Sequence, residues 1–194
     1  MAEFSAESES MESTTVGIYR TAAVVKGGRR FSFSALVVVG DRNGRVGIGY
    51  GKAPGVPAAI EKAQKNARKE IVNIPLLGGT IPHAIDARFG SSKVRLVPAA
   101  PGTGVIAGAT ARAVLELAGV KDCLSKAFGS TNQKNLSRAV LEGLKGLRTK
   151  ESVARMRGVE IDRTEIEQRV EVGKLGRDAQ VEAGGDAEAA AEEQ

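Results

Sequence analysis

The chain has 194 residues, enough for one or two small domains with a real core, and its formal net charge is +5. Its one cysteine, Cys123, excludes an intramolecular disulfide and favours a reducing compartment. The acidic, polar N-terminus lacks the features of a signal peptide and no apolar run reaches the ~18 residues of a membrane span, so we expect a cytoplasmic protein without a membrane partner.

Charge is distributed unevenly along the chain. Residues 1–15 hold four acids and no base, and residues 174–194 hold six acids and two bases. Of the 28 bases and 23 acids in the chain, 26 bases and 13 acids therefore lie between these ends, a net +13. Such an excess favours a polyanionic partner, because neutralised phosphates release counterions. A merely solvated surface would mix both signs more evenly.

The first part of the chain predicts a sheet backed by a helix. Residues 1–13 are acidic and polar and are expected to be disordered. Alternation of side-chain types then predicts three strands, over residues 19–25, 31–39 and 45–50. In the second strand, one face is apolar and the other mixed. In the third, glycines inside the strand indicate either a close approach of another backbone or a β-bulge.

A helix is predicted to begin near Pro57, at a first helical position. Its inner face carries apolar residues at spacings of three and four, namely Ile60, Ala63, Ala67 and Ile71. Cations cluster on the opposite side, where they are either solvated or face RNA.

Two connections join the three strands. Asn43-Gly44 suits a type I′ hairpin turn, in which both central residues need positive φ. In the other connection, residues 26–30, two glycines let the backbone bend and three cations flank them. Phosphates can approach such a backbone closely. These loops are therefore predicted to touch nucleic acid.

The second part of the chain predicts strands over residues 80–89, 93–99 and 120–128, and helices from about 107 to 118 and after 132. Gly119 is the predicted C-cap of the first helix, and residues 129–132 form a turn with an N-cap. The second helix buries Leu136, Val140, Leu144 and Leu147.

The predicted fold class is α+β. A βββα domain over residues 14–74 is followed by a two-layer ββαβα domain over residues 78–148. Residues 149–194 form an extension, with short helical turns near 152–156 and 164–170, that ends in an acidic, disordered tail.

Two glycine patterns raise the alternative of an enzyme. Residues 49–52, GYGK, resemble part of a phosphate loop, but that motif needs glycine where Val46 stands and Ser or Thr where Ala53 stands. Residues 102–107, GTGVIA, match G-x-G-x-x-A, yet Pro98 and Pro101 interrupt the turn and the chain lacks a succession of βα units. We interpret these glycines as a tight loop that opens a helix or packs on a partner.

No group of residues predicts catalysis, a metal site or a cofactor. His83 is the only histidine and has no cysteine cluster to complete a metal site, so it is expected to be an ordinary strand-edge residue. Cys123 lies in a predicted strand and is expected to be a small core residue. Asp86, Glu116 and Asp122 show no spacing that suggests acid–base chemistry.

Three long segments resemble the bacterial family of small-subunit ribosomal protein S-five. They are VKGGRRFSFSALVVVGDRNGRVGIGYGKA, VPAAIEKAQKNARKEI and GTGVIAGATARAVLELAGVKDCLSKAFGSTN, in the family's order. The resemblance covers about residues 16–172 and leaves out the first 12 residues and the acidic tail. Arg42 departs from the small residue that many members have in the hairpin turn, which would add a phosphate contact.

The resemblance implies a first domain like a double-stranded-RNA-binding domain and a non-enzymatic, ribosome-bound protein. It implies that the protein binds 16S rRNA near the junction of head and body and neighbours proteins S-four and S-eight. With S-four it would influence decoding accuracy, and with S-three and S-four it would line the channel through which mRNA enters. The loop of residues 26–29 would approach rRNA near the region where spectinomycin acts.

The predicted RNA-binding residues are Lys26, Gly27, Gly28, Arg29, Arg30, Arg42, Arg45, Lys52, Lys65, Arg68, Lys69, Ser130, Thr131 and Asn132. The resemblance also implies that Gly104 and Arg112 face S-four. Recognition is expected to be of backbone and shape, since the few aromatic residues show no exposed motif that stacks bases. The alternatives are a free double-stranded-RNA-binding regulator and a nucleotide-binding enzyme that uses residues 102–107.

Overall fold

The computed structural model describes residues 11–159, 161–162 and 164–172. It confirms the α+β class, with two four-stranded sheets and their helices. Residues 1–10 of the predicted disordered segment and the predicted tail from residue 173 lie outside the described residues. No helix in the described ranges is long and apolar enough to cross a membrane.

The first sheet has the antiparallel order β1-β2-β3-β4. Its strands are β1 (Glu12–Val25), β2 (Gly28–Gly40), β3 (Arg45–Ala53) and β4 (Val72–Asn73), and helix α1 spans Val56–Lys69. Strand β1 begins seven residues earlier than predicted, so Glu12 and Ser13 are in a strand. Its pairing with Val37–Gly40 supplies the hydrogen bonds that this polar stretch could not predict locally. Strand β4 was missed because two residues carry no periodic pattern.

From Ser34 to Gly40, strand β2 is buried on both faces, which corrects the prediction of a mixed second face for this part of the strand. Ala35, Val37 and Val39 pack against α1. Leu36 and Val38 belong instead to a second cluster, together with core residues of the other domain. The first sheet is therefore a central layer between α1 and the second domain, and the cluster on its second face continues into the core of that domain.

Glycines of β3 bring its backbone against helix α1. A Cβ placed on Gly49 would lie 1.9 Å from the carbonyl oxygen of Ala63, and one on Gly51 would lie 2.3 Å from that of Ala59. Both distances are far below any real Cβ contact. The predicted close approach is thus confirmed, and the GYGK pattern serves helix packing.

The β2–β3 turn differs from the predicted type I′ turn at residues 43–44. The positive φ angles belong to Arg42 (58°) and Gly44 (95°), not to Asn43. The Asp41 carboxylate organises the turn by accepting hydrogen bonds from the backbone N–H groups of Asn43 (2.8 Å) and Arg45 (3.0 Å). The turn then docks on the second domain, because Arg42 N–H donates to the Leu117 carbonyl.

The second sheet has the order β5-β6-β8-β7, in which only the β7–β8 pair is parallel. Its strands are β5 (Ile85–Phe89), β6 (Ser92–Pro98), β7 (Val105–Ile106) and β8 (Cys123–Gly129). Helices α2 (Ala109–Ala118) and α3 (Gln133–Lys145) cover one face. The other face carries no element of the described chain.

Local signals in this domain predicted its helix ends well. Gly119 is the left-handed C-cap of α2, and the Asn132 side chain caps α3 by accepting from Lys134 N–H. The predicted strand 80–89 is shorter, since Thr80 forms a bridge with Leu77 and pairing starts only at Ile85. After the second domain, helix α4 spans Lys150–Arg157 and residues 165–172 are also helical.

Candidate nucleic-acid interface

Strands β1 and β2 extend beyond the rest of the first sheet as a two-stranded ribbon. The last pair between β2 and β3 is Phe33 with Ala53, whereas β1 and β2 stay paired to Val25 and Gly28. Residues 21–25 and 28–32 thus form this ribbon, and residues 26–27 form its turn. A hairpin of two strands is at best marginally stable in water, and no third strand of the described chain pairs with this ribbon.

The tip of the ribbon is cationic and unobstructed. Lys26, Arg29 and Arg30 are exposed, and no acid in the described ranges lies within ion-pair distance of them. A Cβ placed on Gly27 or Gly28 would meet nothing within 4 Å. Neither glycine is therefore required by packing inside the protein, although Gly28 has a φ of +141° that disfavours other residues.

The ribbon also exposes apolar surface. Val24 is 82% exposed and Phe31 is 44% exposed, and the Arg20 guanidinium lies 3.7 Å from the centroid of the Phe31 ring. This cation–π contact holds Arg20 over the same face that carries Arg29. The ribbon therefore presents a partly exposed aromatic ring beside cations.

A second group of predicted residues lies where the N-terminus of α3 meets the first sheet. The Tyr19 hydroxyl hydrogen-bonds the Gln133 side chain, and the Lys134 ammonium lies 4.3 Å from the centroid of the Tyr50 ring. Lys52 follows Tyr50 on the same face of β3. The structure therefore brings Lys52 close to the turn that holds Ser130, Thr131 and Asn132.

Two residues of that turn have structural tasks. The Ser130 carbonyl accepts from the Ser92 hydroxyl (2.6 Å), and its hydroxyl accepts from Asn132 N–H (3.3 Å). Asn132 caps α3, as described above. Thr131 is exposed between them.

The predicted cations of α1 lie far from the ribbon tip. Lys65, Arg68 and Lys69 are exposed on the side of α1 opposite its buried alanines. The end of the helix at Ala67 packs on Gly47 of β3. Gly47 pairs with Val39 of β2, and Val39 lies eleven residues along β2 from Gly28 at the ribbon tip. At about 3.3 Å per residue, the separation is roughly 35 Å. The structure does not join these cations and the ribbon tip into one patch.

The two arginines of the β2–β3 turn are held by acids. Arg42 Nη2 lies 2.7 Å from a carboxylate oxygen of Glu12, and Arg45 Nε lies 3.0 Å from Asp41 Oδ2. Both lie at the end of the sheet opposite the ribbon. Arg45 therefore stabilises the turn, and Glu12 would compete with a phosphate for Arg42.

The loop before α2 is held by a buried acid. The Asp122 carboxylate accepts hydrogen bonds from the backbone N–H groups of Gly102 and Gly104, each at 2.9 Å. Gly104 has a φ of +77°, and a Cβ there would meet nothing within 4 Å. Arg112 lies nearby on α2, beside Arg42 in an open cavity of about 410 Å³ between the domains. The loop and Arg112 thus present a shaped, accessible surface.

Comparison with known proteins decides the family. Residues 11–75 match the model of the ribosomal protein S5 N-terminal domain, and residues 87–157 match that of the ribosomal protein S5 C-terminal domain. The chain belongs to the ribosomal protein S5 family. It is 59% identical over 146 residues to small ribosomal subunit protein uS5 of Thermus thermophilus. The aligned segment covers 75% of this chain and 90% of that relative. The uS5 proteins of two individual strains of that species give the same values.

The S5 family is a family of ribosomal structural proteins, which is not an enzyme class. The described ranges contain no cluster of three or more His, Cys, Asp or Glu residues that could hold a metal. Burial raises the pKa of the Cys123 thiol to about 11, so it is protonated at neutral pH and is a poor nucleophile. Its predicted place in the core is confirmed, with no exposed surface.

His83 has a structural task that its expected place at a strand edge did not suggest. It lies before β5, where its Nδ1 bonds the Ala84 carbonyl (3.0 Å) and its Nε2 accepts from Arg148 N–H (3.1 Å). These two bonds require the neutral ring with its proton on Nδ1. His83 therefore ties the start of the second sheet to the segment after α3.

Two features were not predicted from the sequence. One is the role of Asp122 in holding the loop before α2, and the other is the basic outer face of the second sheet, the face that α2 and α3 leave uncovered. An isolated acid gives no local signal for two hydrogen bonds to a loop some 20 residues away. The outer face had a signal, since charged residues alternate with apolar ones in β6.

We expect Asp122→Ala to lower the free energy of unfolding by about 2–4 kcal/mol, because two N–H groups lose a charged acceptor. Asp122→Asn keeps one side-chain oxygen as an acceptor, so the loss should be about 1 kcal/mol. Urea unfolding measures both values, and NMR hydrogen exchange at the Gly102 and Gly104 amides reports the loop itself. Unchanged exchange at both amides in Asp122→Ala would contradict this role.

Proposed function

We propose that this chain is a structural, non-enzymatic constituent of the small ribosomal subunit that binds 16S rRNA and stabilises the head relative to the body. The observation that carries the proposal is the ribbon, whose three exposed cations surround glycines with open space around them. Such a tip can lie against a phosphate backbone without first breaking any contact inside the protein. Family membership supports RNA as the partner.

Recognition by the ribbon should depend on shape and charge. Backbone contacts position a protein on RNA without reading its sequence. Duplex RNA offers phosphates and 2′-hydroxyls across its minor groove. Lys26, Arg29 and Arg30 would contact phosphates. The exposed side chains of Val24 and Phe31 would pack against apolar parts of the RNA beside those phosphates. Lys52 and Thr131 form a second, weaker contact beside the start of α3.

The loop around Gly104 and the exposed Arg112 suit a protein partner, and we assign that contact to S-four. Contacts with S-eight and S-three and a position at the channel through which mRNA enters belong to the same proposal. A bulky residue at Gly104 together with Arg112→Ala should change the rate of miscoding in a reporter assay with little effect on subunit assembly. Normal accuracy in that double variant would remove the proposed influence on decoding.

The loop geometry argues against the nucleotide-binding alternative. A phosphate cradle needs free backbone N–H groups. The two glycine N–H groups of residues 102–104 already donate to Asp122, whose carboxylate would also repel a phosphate. The glycines of the G-x-G-x-x-A pattern thus let the loop fold around the Asp122 carboxylate of the same chain.

Sucrose-gradient fractionation tests the proposed function. We expect a tagged full-length chain to sediment with the small subunit and with assembled ribosomes, and to leave the particle only at high salt. A chain that stays at the top of the gradient, while still binding duplex RNA, would instead be a free regulator and would contradict the proposal.

A further inference from the structure

The outer face of the second sheet is open to solvent, because α2 and α3 cover only the inner face. Along β5, β6 and β8, residues of one parity are buried or half-buried and those of the other parity are exposed, except at Val97 and Gly129 near the strand ends. We call the exposed set, with its neighbour on β7, the open sheet face. It consists of Asp86, Arg88, Lys93, Arg95, Ile106, Leu124, Lys126 and Phe128. None of these residues belongs to the predicted RNA-binding set.

Strand pairing places cations around an exposed ring. Lys93 on β6 lies opposite Phe128 on β8, and the next exposed pair along these strands is Arg95 with Lys126. Rows two residues apart on a strand are separated by about 7 Å. Phe128 is 46% exposed, so a planar group can reach it while its charged neighbours stay within side-chain reach.

The open sheet face has a net positive charge, and its cationic side chains can exchange their present partner for a phosphate. Four of its residues are cations, and Asp86 is its one acid. Asp86 pairs with Lys93 (3.4 Å) and Arg95 (3.1 Å), but both cations are more than half exposed. Such pairs are worth little in water, so either cation can turn to a phosphate at small cost. No acid in the described part of the chain pairs with Lys126.

We propose that the open sheet face binds single-stranded RNA, with a base stacked on Phe128 and the backbone phosphates on Lys93, Arg95 and Lys126. A sheet surface that joins an aromatic ring to cations suits unpaired bases, which have a free π-face. A duplex keeps its bases stacked inside and would leave the ring unused. The proposal rests on the proposed function in taking RNA as the partner, but it uses another sheet and another form of RNA.

The chain's own acidic C-terminal residues are a poorer match for this face. Residues 178–194 hold six acids and no base, so their charge is suitable. Their one large apolar residue is Val181, which could not cover Ile106, Leu124 and Phe128 together. Stacked bases would cover apolar surface and supply charge at once.

Fluorescence anisotropy of the full-length chain with labelled oligouridylate and with an RNA hairpin duplex tests the proposal. We expect Phe128→Ala and Phe128→Leu to weaken oligouridylate binding about fivefold or more, since the stack is lost in both. Phe128→Tyr keeps the ring and should retain the affinity. Lys126→Gln should reduce the slope of log affinity against log salt by about 0.7, the value for one phosphate of a single strand.

The RNA duplex separates this inference from the function proposed above. Phe128 variants should bind the duplex normally, whereas Lys26→Ala with Arg29→Ala should lose duplex binding and keep oligouridylate binding. If the ribbon variant binds duplex normally while Phe128→Ala still loses oligouridylate, the ribbon's role fails and the open sheet face stands. Equal oligouridylate affinity in Phe128→Ala and the parent chain would overturn the inference.

Crosslinking identifies the occupant inside the particle. A photoreactive side chain in place of Leu124 should crosslink to RNA in purified small subunits. Crosslinks only to residues 178–194 of the same chain, or only to another protein, would assign the face to that occupant and overturn the inference.

Discussion

Replacing both Lys26 and Arg29 by alanine should lower the affinity for duplex rRNA about thirtyfold at 0.15 M salt. Each phosphate contact contributes a slope of about −0.9 to log affinity against log salt. Two lost contacts therefore reduce that slope by about 1.8, which corresponds to roughly thirtyfold at this salt concentration. Both side chains are exposed, so the variant should fold normally.

A charge-matched control makes this result specific. Arg155→Ala with Arg157→Ala removes the same two charges from exposed positions of α4. Its salt slope should match that of the parent chain. Titration of each protein with an rRNA fragment at several salt concentrations gives both slopes, and equal slopes for the ribbon variant and the parent would exclude phosphate contacts at the tip.

Gly49→Ala should lower the free energy of unfolding by about 3 kcal/mol or more, near the upper end for overpacked sites. The added Cβ would lie 1.9 Å from the Ala63 carbonyl oxygen and 2.5 Å from the Ala67 nitrogen. Both atoms are backbone, so no side chain can move aside to relieve the overlap. Helix α1 would have to separate from β3, which opens the core between them. A loss of this size lowers the melting temperature by about 10 °C.

Gly27→Ala is the matched control for that experiment. It makes the same chemical change at the ribbon turn, where a Cβ would meet nothing within 4 Å. Its free energy of unfolding should stay within about 0.5 kcal/mol of the parent value. Thermal and urea unfolding compare the two variants directly, and a change below about 1 kcal/mol in Gly49→Ala would show that the strand–helix approach tolerates a methyl group.

Several parts of the fold and the site could be predicted because their signals are local. The caps at Gly119 and Asn132 and the buried stripe of α3 depend on residues within a turn or two of each other. The ribbon tip could be predicted for the same reason, since glycines between cations favour a bent, positive turn in any context. The three long family segments carried the identification, which the family comparisons then confirmed.

Other features follow from contacts between residues far apart in the chain. Strand β2 alternates in a way that suits one buried face, yet the second domain buries its other face through Leu36 and Val38. The left-handed backbone of Arg42 is held where its N–H meets the Leu117 carbonyl, 75 positions away. No local propensity encodes either outcome, since both depend on how the two domains meet.

The sequence by itself thus determined the α+β class, the order of the helices and main strands, the family and the cationic ribbon tip. Only the tertiary structure decided that the α1 cations lie far from that tip, that Asp122 occupies the N–H groups of the GTG loop, and that a basic face with Phe128 remains open. The physical reason is that periodicity and turn chemistry act over a few residues. Which face is covered, and which charge finds a partner, depends on packing between elements that are distant in the sequence.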